Sequence, residues 1–228
     1  MKIEFPKNKL AVAELIMGGR QVMYVIPPVI GTYFECFSFS DDRTRTAQGI
    51  EIAAFVYGAF FLGNREWADQ PRIRFPTLNY LRVPEILTMV PNKKEFGDLA
   101  GAMLVDSDLT GEGLSKITEV PANFDGWAQT PQGLMIRDNR IAVPMSKWYS
   151  NRWDAKNGAV IALFGDEGAK VLEKAYADSG SFWKVDVKAI QTPEKRVPVI
   201  RSYDGLNLVL DCSDKGGGEN GCAIYVLK

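Results

Sequence analysis

Histidine is absent from all 228 residues. It is the only side chain that ordinarily changes charge between about pH 5 and 8, and it is the commonest metal ligand and general base. Its absence excludes Ser-His-Asp and Cys-His nucleophile pairs, histidine zinc sites and histidine pH switches. Cysteine is scarce: Cys36, Cys212 and Cys222 are too few for a disulfide framework, and no two stand at C-x-x-C spacing. Neither sign of charge dominates, with 27 basic residues against 28 acidic and a formal net charge of -1. That balance argues against a nucleic-acid coat protein or a polybasic membrane binder, while leaving room for local patches. Long hydrophobic runs are also missing. The most apolar stretch, residues 50–62, contains Glu51 and falls short of the roughly 20 residues a spanning helix needs. The opening residues, MKIEFP, carry no apolar signal region. The expectation is a cytoplasmic location, or a virion one for a viral protein, and no membrane partner.

What is present suits a packed globular chain: 46% hydrophobic, 24% charged and 11% aromatic residues. The pattern predicts an α+β fold, with mixed, mainly antiparallel sheets and a few short helices. Residues 121–133 (PANFDGWAQTPQG) form the best linker, which suggests an N-terminal region over 1–125 and a C-terminal region over 134–228, or a single domain spanning both. In the first half, Asn8 is placed to cap a helix over 9–17 that stops at Gly18-Gly19. Residues 21–26 and 29–39 read as two strands separated by Pro27-Pro28, and residues 46–62 as a buried helix weakened by Gly49 and Gly58. Pro71, Pro76, Pro84 and Pro91 mark edge strands and loops.

In the second half, residues 134–137 and 140–143 flank Asp138-Asn139 as a hairpin. A helix over 147–156 stops at Asn157-Gly158, a strand covers 159–164, and a helix capped by Asp166 covers 167–177. Strands over 182–190, 197–202, 206–212 and 222–227 close the chain. The last two flank a glycine-rich tip, Lys215-Gly216-Gly217-Gly218-Glu219-Asn220-Gly221, across which Cys212 and Cys222 would face each other as two buried thiols or a bridge.

Two clusters carry chemistry. Asp106-Ser107-Asp108-Leu109-Thr110-Gly111-Glu112 matches the opening of a calcium loop, with oxygens at its first, third and fifth positions and glycine at its sixth. The twelfth position, where that loop needs a bidentate glutamate, is Ile117. The metal candidates are therefore Asp106, Asp108, Thr110 and Glu112, with calcium or magnesium as the cation, against the plainer reading of a solvated acidic turn. No other cofactor is implied. The second cluster, Lys147-Trp148-Tyr149-Ser150-Asn151-Arg152-Trp153, interleaves base and aromatic, and Trp148/Arg152 and Tyr149/Trp153 share helical i, i+4 spacing. Stacking plus charge is how single strands are held, making Lys147, Trp148, Tyr149, Arg152 and Trp153 the nucleic-acid candidates. Aromatics at this spacing more commonly mark a core face. Arg72-Ile73-Arg74 with Arg82 forms a second basic strip of the same alternation, which one face of an edge strand explains equally well.

Gly165-Asp166-Glu167-Gly168 lacks the Lys-Ser/Thr pair and glycine spacing of a phosphate loop. Ser146-Lys147 and Ser115-Lys116 are adjacent without defining a nucleophile, and no carboxylate pair is singled out as catalytic. The balance favours a non-catalytic binding or structural subunit of a larger intracellular, viral or phage assembly, partnered by copies of itself or other proteins. A nucleic-acid-binding protein and a divalent-metal-dependent hydrolase are the alternatives.

Overall fold

The structure, a computed structural model, describes residues 3–4, 11–17, 20–38, 42–57, 80–106, 128–130, 133–137, 140–144, 154–176, 180–183, 189–202, 208–218 and 221–228. These form the expected α+β architecture of two sheets and a helical pair. In chain order the strands are β1 (Ile3–Glu4), β2 (Ala11–Met17), β3 (Arg20–Gly31), β4 (Thr44–Thr46), β5 (Leu81–Arg82), β6 (Ile86–Met89), β7 (Met103–Asp106), β8 (Ala128–Gln129), β9 (Met135–Arg137), β10 (Arg140–Val143), β11 (Gly180–Trp183), β12 (Glu194–Arg196), β13 (Val199–Ser202), β14 (Leu208–Asp211) and β15 (Gly221–Leu227). The helices are α1 (Tyr33–Ser38), α2 (Gly49–Val56) and α3 (Gly158–Tyr176). One sheet runs β1-β2-β3-β15-β5-β13-β14-β11, with β4 also on β15; the other runs β12-β6-β7-β10-β9-β8. Both sheets draw strands from either side of residues 121–133, so the two halves of the chain share them.

Residues 11–17 form a strand, correcting the expected helix. Their ladder with β3 runs from Ala11↔Ile26 to Met17↔Arg20, and Gly18-Gly19 lie outside the described residues. Beyond that ladder β3 continues through Pro27-Pro28. Its register with β15 shifts between Val25↔Tyr225 and Val29↔Ala223, an irregularity that takes in two residues lacking an N–H. The second expected strand ends early, at Gly31. Thr32 and Glu35 form a reciprocal cap, Thr32 N donating to Glu35 Oε2 at 2.8 Å and Glu35 N to Thr32 Oγ1 at 3.4 Å, and the chain turns into α1.

Two further corrections concern α3. Asn157 starts this helix, its Oδ1 accepting from Ala159 N at 2.9 Å and Val160 N at 3.4 Å; of the helix expected over 147–156, residues 154–156 are not helical and 147–153 lie outside the described residues. Residues 159–164 are helical, since a short apolar run fits a buried helix as well as a buried strand. Gly165 (φ 71°, ψ 170°) interrupts the helix before its second part. The helices α2 and α3 touch where a side chain would not fit. A Cβ on Gly49 would lie 2.1 Å from Leu163 O, and one on Gly168 would lie 3.3 Å from the Ala53 Cβ. Ile52 and Val56 of α2 and Leu163, Phe164 and Leu172 of α3 share one buried cluster with Leu81, Ile200, Leu210 and Ile224 of the first sheet and Leu87, Met103 and Val105 of the second.

The closing strands do not form the expected glycine-tipped hairpin. β14 and β15 are separated by β13 and β5, so Cys212 and Cys222 do not face each other. All three cysteines are buried thiols.

Candidate functional site

Because β14 and β15 are not neighbours, the segment after Asp211 must cross over β13 and β5. A buried arginine holds it there. Arg82 ends β5, between β15 and β13, and its side chain is fully buried, which corrects its placement on an edge-strand face. Its Nη1 lies 3.2 Å from Asp214 Oδ2, and its Nη2 donates to Gly218 O at 2.5 Å. The guanidinium passes directly over β15, where a Cβ on Gly221 would come within 2.0 Å of Arg82 Nε. A charge removed from water in this way requires paired and hydrogen-bonded surroundings. The loop supplies them for both terminal nitrogens, while Nε has no hydrogen-bond partner among the described residues.

Several residues of the crossing have anchors of their own. Asp211 Oδ1 accepts from Ser213 N at 2.8 Å and Ser213 Oγ at 2.5 Å, while its Oδ2 pairs with Arg201 Nη2 at 3.0 Å. Arg201 also donates to the Tyr80 hydroxyl at 2.5 Å and stacks 4.2 Å from the Tyr80 ring centroid, with Arg82 at 5.5 Å. Burial, together with the negative charge of Asp214, pushes the Tyr80 phenol up to about 12. Asp214 Oδ1 accepts from Gly216 N at 3.1 Å, and Asp214 O from Val197 N at 2.9 Å. Gly216 adopts φ 82°, and a Cβ there would press on Tyr33 Cβ and Val197 Cγ2, both at 3.2 Å.

That last contact joins the loop to α1. Tyr33 N donates to Gly216 O at 3.1 Å, and the Tyr33 hydroxyl to Pro84 O at 2.6 Å. From the other side of α1, Cys36 Sγ donates to Gly31 O at 3.4 Å and Gly221 O at 3.3 Å, while Tyr225 OH donates to Cys36 O at 2.5 Å. Burial raises the Cys36 thiol and pushes the Cys222 thiol up to about 12, which holds both as unreactive thiols. What remains outward is Phe34, at 55% exposure, with the exposed residues Ser213, Lys215, Gly217 and Gly218 on the neighbouring loop.

A shallow groove of about 360 Å³ lies elsewhere, between the start of α2 (Gln48, Gly49, Ile50) and the α3 break (residues 163–167). Beside it, Glu51 accepts from Gln48 N at 2.9 Å and pairs with Arg45 at 2.5 Å.

Of the metal candidates, Asp106 ends β7 with Ile86 and Arg140 directly across from it in register; Asp108, Thr110 and Glu112 lie outside the described residues. Among the described residues, no group of three or more His, Cys, Asp and Glu is placed to hold a metal ion, and no helix is long and apolar enough to cross a membrane. The nucleic-acid candidates Lys147, Trp148, Tyr149, Arg152 and Trp153 also lie outside the described residues, as do Arg72 and Arg74. The residues that shape the candidate surface, Tyr80, Asp214, Arg201 and Phe34, were not among those singled out from sequence. Of the sequence features singled out, only the glycine run pointed there.

No protein-family model and no curated protein matches the chain. Among solved structures it is similar to a chain described as "Accommodation of massive sequence variation in Nanoarchaeota by the C-type lectin fold", at 12% identity and a TM-score of 0.45, covering 99% of this chain and 100% of that one. At that identity no side chain of the candidate surface is carried over from it.

Proposed function

We propose that the chain is a non-catalytic binding or structural subunit of a larger assembly, and that α1 with the loop at residues 213–218 is the face it presents to a protein partner. One observation carries this reading. The loop is fastened from beneath by the buried Arg82 and from the side by Tyr33, while Phe34 and the outer loop residues stay exposed. A surface loop held rigid on a sheet loses little conformational freedom on binding, and an exposed aromatic supplies contact area at small entropic cost. The arginines and aspartates beneath are paired with one another, so their charge stabilises the platform.

The test is the mass in solution of the full chain and of any co-purified partner, measured for the wild type and for Phe34→Ser. The reading expects a stoichiometric complex, with itself or another protein, that Phe34→Ser weakens at least tenfold while thermal unfolding is unchanged. A wild type that remains a partnerless monomer refutes the reading. So does a complex indifferent to Phe34→Ser.

A further inference from the structure

Two short crossings join the sheets side by side. Residues 83–85 lead from β5 in the first sheet to β6 in the second, and residues 197–198 lead from β12 in the second back to β13 in the first. Val83 N donates to Pro198 O at 3.0 Å, clasping the crossings together. Tyr33 of α1 closes the junction through its hydroxyl on Pro84 O at 2.6 Å, and packs with Ile86 and Val197 in a small buried cluster backed by Phe37. Inside this junction is a carboxylic acid. Glu85 is buried, and among the described residues its Oε2 has no hydrogen-bond partner.

The charged groups on the surrounding elements are engaged elsewhere. Arg82 pairs with Asp214, Arg196 with Glu194, and Glu35 of α1 caps Thr32. Neither these nor Lys195 of β12 acts on the ionisation of Glu85. Burial pushes its carboxyl up to about 7 from an ordinary 4.5, opposed only by a bond from its own backbone N–H. A buried carboxylate with no countercharge needs water. Protonated, the same group can remain in the closed junction.

We propose that Glu85 is a proton-operated latch between the two sheets: its protonated form keeps the Val83–Pro198 and Tyr33–Pro84 contacts closed, and loss of the proton to water opens them. The latch acts whatever the exposed face of α1 binds. Its sign follows from linkage. An acid whose pKa is raised by closure stabilises the closed form fully below its unperturbed value and loses that contribution as pH rises through the raised one, here from 4.5 through about 7. With an ordinary pKa in the open form, the opening constant rises on the order of 50-fold between about pH 5 and about pH 8.

Amide hydrogen exchange of the full chain, corrected for the intrinsic pH dependence of exchange, reads this directly. Protection at Tyr33, Val83 and Val197 is expected to fall by that factor in the wild type and to stay level in Glu85→Gln, while the β2–β3 ladder is unchanged in both. A level wild-type response at the junction overturns the latch, as does an undiminished fall in Glu85→Gln. Should Glu85→Gln fail to fold, the side-chain carboxyl carbon of Glu85 followed by NMR in the wild type decides. A midpoint near neutrality supports the latch, and a midpoint at the ordinary glutamate value overturns it.

Discussion

Asp214→Asn removes one charge from the ion pair that carries the candidate surface and leaves the shape nearly intact. Asparagine can still accept from Gly216 N through its Oδ1, so the turn keeps its local bond. Arg82, whose side chain has no exposure, is left with a buried positive charge beside the Gly218 carbonyl, the Tyr80 ring and the Cys36 thiol, none of them an anion. Removing one member of such a buried pair costs about 3–5 kcal/mol. Asp214 retains 11% exposure, which puts the loss at the lower end, about 3 kcal/mol. The reciprocal change, Arg82→Met, fills much of the same volume without charge and leaves an aspartate that reaches water, so the loss is about 1–2 kcal/mol. Once the arginine is gone, Asp214→Asn has little left to disrupt. The double variant should therefore lose about 3 kcal/mol less than the sum of the single losses. Urea unfolding followed by tryptophan fluorescence measures all four proteins, provided the slope is common to them. Additive losses, or an Asp214→Asn no more damaging than Arg82→Met, would refute the assignment of Arg82 as the loop's anchor.

Gly221→Ala tests the same anchor sterically, because its Cβ would fall 2.0 Å from Arg82 Nε; urea unfolding should show a loss of about 2 kcal/mol, and the loop at 213–218 should lose exchange protection. Gly49→Ala drives a methyl to 2.1 Å from Leu163 O and should cost about 2–3 kcal/mol by forcing α2 and α3 apart; a thermal midpoint unchanged from wild type would contradict the close crossing. Asn157→Ala removes the α3 cap and should cost about 1 kcal/mol, read from the urea midpoint. Thiol titration should find Cys36, Cys212 and Cys222 unreactive in the native protein and all three free on denaturation without reductant; fewer free thiols would reveal a bridge.

Local signals account for the elements that were legible in the sequence. The hairpin of β9 and β10 is announced by two apolar runs around Asp138-Asn139, and its register pairs Arg140 with Arg137. β13, β14 and β15 carry the Val, Ile and Leu enrichment of buried strands. Residues 11–17, by contrast, are rich in alanine, leucine, glutamate and methionine, all good helix formers, and become a strand because β3 offers a seven-residue ladder. Residues 159–164 make the opposite error available: their valine and isoleucine suit a strand, but the Asn157 cap and contact with α2 make them helical. The surrounding β-formers carried the reading of 29–39 as a strand, and the two bonds between Thr32 and Glu35 that decide where β3 ends were not read from the sequence.

The candidate surface resisted prediction for a different reason. An arginine in sequence carries the expectation of exposure. What buries Arg82 is Asp214, 132 positions away, together with a strand order that places β5 inside the sheet. The glycine run suggests a flexible tip when read alone, yet two of its residues are set by neighbours. Gly216 must take a positive φ against Tyr33, and Gly221 must leave room for the guanidinium. Glycine here serves close approach at one position and backbone conformation at the other, and composition cannot separate those roles. Both follow from the strand order. Were β14 and β15 paired, the loop would be a short hairpin tip that needs no anchor; because β13 and β5 intervene, it must cross the sheet, and the buried arginine makes that crossing a fixed platform beside Phe34.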